Sequence, residues 1–262
     1  MEVGSIQIDP VVDGCFPMKP TELFVGTTED GWAPHADLLD DQGRIRFTTG
    51  GFLIRHAGRV VLVDLGVGPA PDRAVDYGGG RFMQSLARLG VESDDVTDVV
   101  LTHLHYDHIG WAAPAGAPTF GRATYRCHGA DWDHFVNRSP GLEKEMLTGA
   151  EDRFELWFGD GTILPGVDVR SAPGHTPGST VVVLSSGPAR AVLLGDVVHC
   201  PVELVDDEWE GIYDMDPALA RRTRLALVRE YEGGRVPLAA AHFPELQFGR
   251  LLPGQGRRMW SV

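Results

Sequence analysis

The chain reads as an α/β domain in which two mixed sheets pack face to face with helices outside. Three observations predict this. Short apolar runs fall in two strand-rich series, one in each half of the chain. Helical segments are interspersed among them rather than collected at one end. Metal-capable side chains recur where the apolar runs stop, which gathers chemistry along one edge of the packed sheets.

The first series comprises Ile6-Gln7-Ile8, Arg44 to Phe47, Phe52 to Arg55, Arg59 to Asp64 and Thr97 to Leu101, with a helical run near Arg81 to Leu89 between the last two. The second comprises Ala123 to Cys127, Val167 to Ala172, Thr180 to Leu184, Ala191 to Leu194 and Val236 to Ala241. Ala130 to Phe135 has a helical look. Asp216-Pro217 supplies an N-cap and first-turn proline for a helix running to about Tyr231. Residues 13–43 and 136–162 read as long irregular stretches, which in a compact domain cover a site or mediate contacts.

Composition narrows the class. The 262 residues, 43% hydrophobic with 33 glycines, suit one domain over 1–262 with a substantial core and many turns. No segment reaches the roughly 18 apolar residues of a membrane span. Met1 to Pro10 has neither a basic nor an apolar leader region, so the cytoplasm is the expected location. Cys15, Cys127 and Cys200 lack Cys-x-x-Cys spacing and are expected as reduced thiols. The net charge of −14 sets 37 acidic against 23 basic residues, which argues against a nucleic-acid partner and favours a neutral or weakly charged small molecule. A homodimer is compatible with this composition.

The most informative segment is His103-Leu104-His105-Tyr106-Asp107-His108, directly after the apolar Val99-Val100-Leu101. Imidazoles at i and i+2 on extended backbone point the same way. A carboxylate and a third imidazole follow within one turn, enough to feed two adjacent cations. Further candidates sit at strand ends: His175 in Gly174-His175-Thr176-Pro177-Gly178, Asp196 after Ala191 to Gly195, and His242 after Val236 to Ala241.

From Phe52 to His242 this pattern resembles the metallo-β-lactamase-fold hydrolases, whose signature is H-x-H-x-D-H followed by a histidine, an aspartate and a last histidine. The resemblance implies a four-layer αββα sandwich. It implies that His103, His105 and His175 hold one metal, that Asp107, His108 and His242 hold the other, and that Asp196 bridges both. It also implies that Asp64, closing the Phe52–Asp64 hairpin, supports the metal loop from behind the ligands. Two divalent cations sharing a hydroxide predict hydrolysis, with Asp107 carrying a proton to the leaving group. Zinc suits these nitrogen and oxygen donors, and iron, manganese or cobalt are also accepted.

Within the family, the chain is similar to the N-acyl-homoserine lactonases and to the methyl parathion hydrolase group. The lactonases carry a tyrosine three positions after the bridging aspartate, where it assists the substrate carbonyl. This chain has His199, and Gly195-Asp196-Val197-Val198-His199 resembles the methyl parathion hydrolase pattern. His199 is therefore a second catalytic candidate, expected to touch substrate or to hydrogen-bond a neighbouring carboxylate. A lactone or carboxylic ester is the expected substrate, with a phosphotriester as the alternative. A β-lactamase, a thioesterase, an iron oxygenase and a non-catalytic metal-stabilised binding protein are the further readings. Trp111, Trp132, Phe16 and Phe24 are candidate walls of a substrate pocket.

Overall fold

In the computed structural model, which describes residues 1–69 and 79–262, strands β1 (Glu2–Val3), β2 (Ile6–Met18), β3 (Ile45–His56), β4 (Arg59–Val63), β5 (Asp98–Val100), β6 (Thr124–His128) and β7 (Phe154–Trp157) form one sheet in that spatial order. β1 to β4 are antiparallel neighbours, and β4 to β7 run parallel. The second sheet contains β8 (Gly161–Leu164), β9 (Val167–Ser171), β10 (Thr180–Ser186), β11 (Ala189–Leu193) and β12 (Leu238–Ala239), adjacent in sequence order, with only β11 and β12 parallel. A two-stranded ribbon, β13 (Arg250–Leu252) with β14 (Met259–Ser261), completes the fold.

The period-two alternation of apolar residues explains how the layers stack. Val61 and Val63 of β4 face the second sheet, meeting Val182 and Leu184 of β10. Leu62, between them, turns to the other face and packs with Phe82 and Leu86 of the helix Phe82–Arg88. Val181 of β10 likewise faces outward, against Leu227 and Val228 of the helix Pro217–Tyr231. The result is helix, sheet, sheet, helix. The long helix begins as its sequence predicts, with the Asp216 carboxylate accepting the Leu219 N–H at 2.9 Å and Pro217 in the first turn.

Several expectations are corrected. Residues 13–43 are not a long loop: β2 continues to Met18, and short helices at Pro20–Leu23 and Glu29–Trp32 follow. Pro10 and Pro17 made this segment look irregular, yet β1 pairs only with Ile6 and Gln7, so among the described residues no further strand lies beyond the rest of β2 and its missing N–H donors are tolerated. The two runs expected at 44–47 and 52–55 are one strand, β3, carried through Gly50 and Gly51. Residues 136–162 contain a helix, Leu142–Leu147, all of β7 and the first half of β8. The strand expected over Val236 to Ala241 is reduced to Leu238–Ala239. All three cysteines are free, as expected.

The strand ends matter most for function. β4 and β5 run parallel, as do β11 and β12, so Asp64, His103, Asp196 and His242 leave the same edge of the sandwich.

Candidate metal centre

The support of the centre begins at Asp64, held in the left-handed region at φ +61°, a conformation costing on the order of 1–3 kcal/mol for a non-glycine residue. That geometry aims its buried carboxylate across to the loop after β5. Oδ1 accepts the Thr102 N–H at 2.8 Å, while Oδ2 accepts the Thr102 hydroxyl at 2.8 Å and meets His108 Nδ1 at 3.0 Å. Gly110 closes the segment, and a Cβ there would lie 1.8 Å from the Val67 carbonyl carbon.

The other imidazoles are braced in the same way. His103 Nδ1 lies 3.2 Å from Thr102 Oγ1, His175 Nδ1 lies 3.1 Å from Asp214 Oδ1, and His242 Nδ1 donates to the Thr48 carbonyl at 2.8 Å. A carbonyl only accepts, so the neutral His242 ring carries its proton on Nδ1 and presents a bare lone pair at Nε2. His103, His108 and His175, each with an oxygen at Nδ1, present Nε2 to the same interior.

There the donors crowd. His103 Nε2 and His175 Nε2 lie 3.1 and 2.9 Å from His105 Nδ1. His108 Nε2 is 3.3 Å from His242 Nε2, and His242 Nε2 is 3.5 Å from Asp107 Oδ2. Asp196 stands between the two groups: Oδ1 is 3.3 Å from His108 Nε2, and Oδ2 is 3.0, 3.5 and 3.7 Å from Nε2 of His242, His175 and His103. Its position follows from Gly195 at φ +54°, where a Cβ would press Thr102 Oγ1 at 3.0 Å.

The electrostatics of the cluster suit the binding of cations. Burial holds His103 and His175 below the usual imidazole range and pushes His105 down to about 3. His108 is driven the other way: despite burial, Asp196, Asp64 and Asp107 raise it well above the ordinary value. Burial opposes ionisation of Asp196, but His108, His242 and His103 hold it well below the usual carboxylate range. Converging neutral imidazoles repel unless a cation lies among them, and the donor set fits a pair of divalent metals.

Two further contacts fix the loops. Asp131, fully buried, accepts the Leu104 N–H at 3.0 Å, the Thr176 hydroxyl at 3.0 Å and the Gly178 N–H at 2.6 Å, tying the 103–108 loop to the 174–178 loop. Arg224, also buried, donates to the Val197 and Trp209 carbonyls and pairs with Glu203 at 2.8 Å. Burial disfavours the charge on Glu203, but Arg224 and His199 bring it down to about 2.

A cavity of about 330 Å³ opens on the donors and is walled by Phe16, Met18, Phe47, Tyr106 and Tyr213, with His105, Asp107, His175, Asp196 and His199 at its base. Phe47 stacks on His242 with centroids 3.7 Å apart. The expected donors are thus brought together, and Phe16 reaches the cavity. Three expected wall residues do not. Trp111 is turned away because its indole N–H donates to Asp13 Oδ1 at 3.1 Å. Trp132 packs on Phe154 in the core beneath the first sheet. Phe24, 1% exposed, lies in an aromatic cluster with Trp32 and Trp209. Met18, Phe47, Tyr106 and Tyr213 take their place. Asp131, Asp214 and Arg224 were not legible in the sequence because they lie far along the chain from the residues they brace; Glu203, four residues after His199, carries no motif that marks it.

The fold and this edge of clustered donors define a class. Residues 51–232 match the metallo-beta-lactamase superfamily, and the chain belongs to it. Among curated relatives, the N-acyl homoserine lactonase AiiA of Bacillus thuringiensis subsp. kurstaki is 26% identical over 140 residues, 53% of each chain. The chain therefore spans about half the length of the curated relatives it matches. Among solved structures, the dizinc quorum-quenching lactonase AidC superposes with a TM-score of 0.88 at 20% identity, covering 99% of this chain and 95% of that one. The hydrolase AbOPH superposes at 0.87 with 23% identity, covering 100% and 95%. These two structures share the fold with this chain.

Proposed function

We propose that the chain is a dinuclear-metal hydrolase of small, neutral lactones or carboxylic esters. One observation carries the reading: two groups of converging donors share a single carboxylate, Asp196. His103, His105 and His175 would hold one cation, Asp107, His108 and His242 the other, and Asp196 both. When bound, such a pair supplies a nucleophilic water at neutral pH and polarises the substrate carbonyl.

The chain's own residues account for the remainder. Asp107 is half-buried, faces His242 and borders the cavity, so its carboxylate can pass a proton to the departing oxygen. Phe16, Met18 and Phe47 exclude water from the reacting group and offer contact to an uncharged substituent. The net charge of −14 repels polyanions. The lactonase relatives support the same substrate class. His199, in place of the lactonase tyrosine, keeps phosphotriesters as a second class. Among the described residues no helix is long and apolar enough to cross a membrane.

The test is a panel of lactones, aryl esters, phosphotriesters and β-lactams assayed with metal-loaded, chelated and reloaded protein. Turnover of a lactone or ester that chelator abolishes and metal restores is expected. Undiminished turnover after complete metal removal, or none on the panel with two ions bound, would overturn the proposal.

A further inference from the structure

His199 is 1% exposed, yet neither ring nitrogen has a hydrogen-bond partner among the described residues. Buried polar groups are almost always paired, so an orphaned imidazole points to a ligand. Its placement repeats that of the histidines around it. Nδ1 faces Glu203 Oε2 at 3.6 Å, and Nε2 faces Asp196 Oδ2 at 3.7 Å. His175 has the same arrangement, with Asp214 behind Nδ1 and Asp196 Oδ2 3.5 Å from Nε2. Ligand atoms of His175, Asp196 and His199 all lie within 4.8 Å of one another. Glu203 is itself anchored, accepting the His199 and Cys200 N–H groups at 2.6 and 3.1 Å and facing Arg224. An imidazole whose outer nitrogen faces a fixed carboxylate is the usual setting of a metal-ligating histidine.

We infer that His199 is an additional metal ligand, binding through Nε2 to the cation held by His103, His105 and His175, with Glu203 as its positioning residue. The inference rests on the dinuclear reading above. A higher coordination number at that ion favours metals that accept five or six nitrogen and oxygen donors, such as manganese, iron or cobalt, over four-coordinate zinc.

The probe is cobalt(II), loaded into the full chain and followed by metal content, proton NMR in water and visible absorption. Each ligating imidazole contributes one strongly shifted, exchangeable ring N–H. Wild-type protein with two cobalt ions is expected to show a resonance for each of His103, His105, His108, His175, His242 and His199. His199→Phe should keep both ions, lose one resonance and absorb more strongly, because a lower coordination number intensifies the cobalt bands. The wild-type spectrum alone decides the matter if the variant does not fold. Two bound cobalt ions with only the other five imidazoles shifted, or a His199→Phe spectrum like that of wild type, overturns the inference and leaves the dinuclear reading standing. Fewer than two cobalt ions in wild type overturns both.

Discussion

Replacing Asp131 with alanine removes a side chain that bonds both donor-bearing loops. Three hydrogen bonds go: from the Leu104 N–H, the Thr176 hydroxyl and the Gly178 N–H. The hydroxyl keeps a partner in Ser179 Oγ, 2.8 Å away, but the two backbone donors are left buried. An unsatisfied buried donor costs about 1–3 kcal/mol, so the variant should lose roughly 2–6 kcal/mol of folding stability. That is a large share of the about 5–15 kcal/mol typical of a domain. Because Leu104 lies between His103 and His105, and Thr176 follows His175, the loss should also loosen the donors and weaken metal binding by roughly 10–100-fold. Denaturant unfolding followed by circular dichroism, in chelator and in saturating metal, measures the first effect, and chelator competition measures the second. Asp131→Asn keeps one acceptor oxygen and should fall between wild type and alanine. An alanine variant within about 0.5 kcal/mol of wild type, the range of an ordinary surface substitution, with unchanged metal affinity, would refute this role.

Asp98 makes a separate pH-dependent contribution. Burial raises its pKa, but bonds from Thr97, Arg59 and Arg126 hold it below the usual carboxylate value, so its stabilisation is present above the unfolded-state pKa and lost as pH falls through the lower folded one. The stability gap between wild type and Asp98→Asn should be full at neutral pH and shrink below about pH 4; a gap that widens on acidification would contradict it. Metal removal should lower the melting temperature, since ions that bind only the folded chain stabilise it by mass action, and identical melting curves with and without metal would count against the centre. Phe16→Ala, which opens the cavity wall, should raise KM for an ester with a bulky apolar acyl group by about 10-fold and leave acetate esters nearly unchanged, about 1.4 kcal/mol of lost contact; equal effects on both would remove Phe16 from the substrate site.

Much of the fold was legible because strand-length apolar runs and the capped helix at Asp216 are local signals. The convergence of the seven candidate residues at one edge was legible because their residue types and order form one recurring pattern, and four lie within six positions. What stayed hidden depends on long-range contact. Asp131 reaches Leu104 across 27 residues and Gly178 across 47, and Asp214 reaches His175 across 39. No spacing announces such pairs. The aromatic walls failed for a related reason: whether Trp111 faces a cavity or a carboxylate depends on where Asp13 lies, 98 residues away in sequence. β2 was obscured by its prolines, which an open strand edge tolerates.

Whether two ions share Asp196 is decided by a crystal structure of the metal-loaded chain with anomalous scattering from the ions. Two peaks are expected, one beside His103, His105 and His175 and one beside Asp107, His108 and His242, both in contact with the Asp196 carboxylate. A single peak at full metal loading, with Asp107 and His242 unligated, would contradict it.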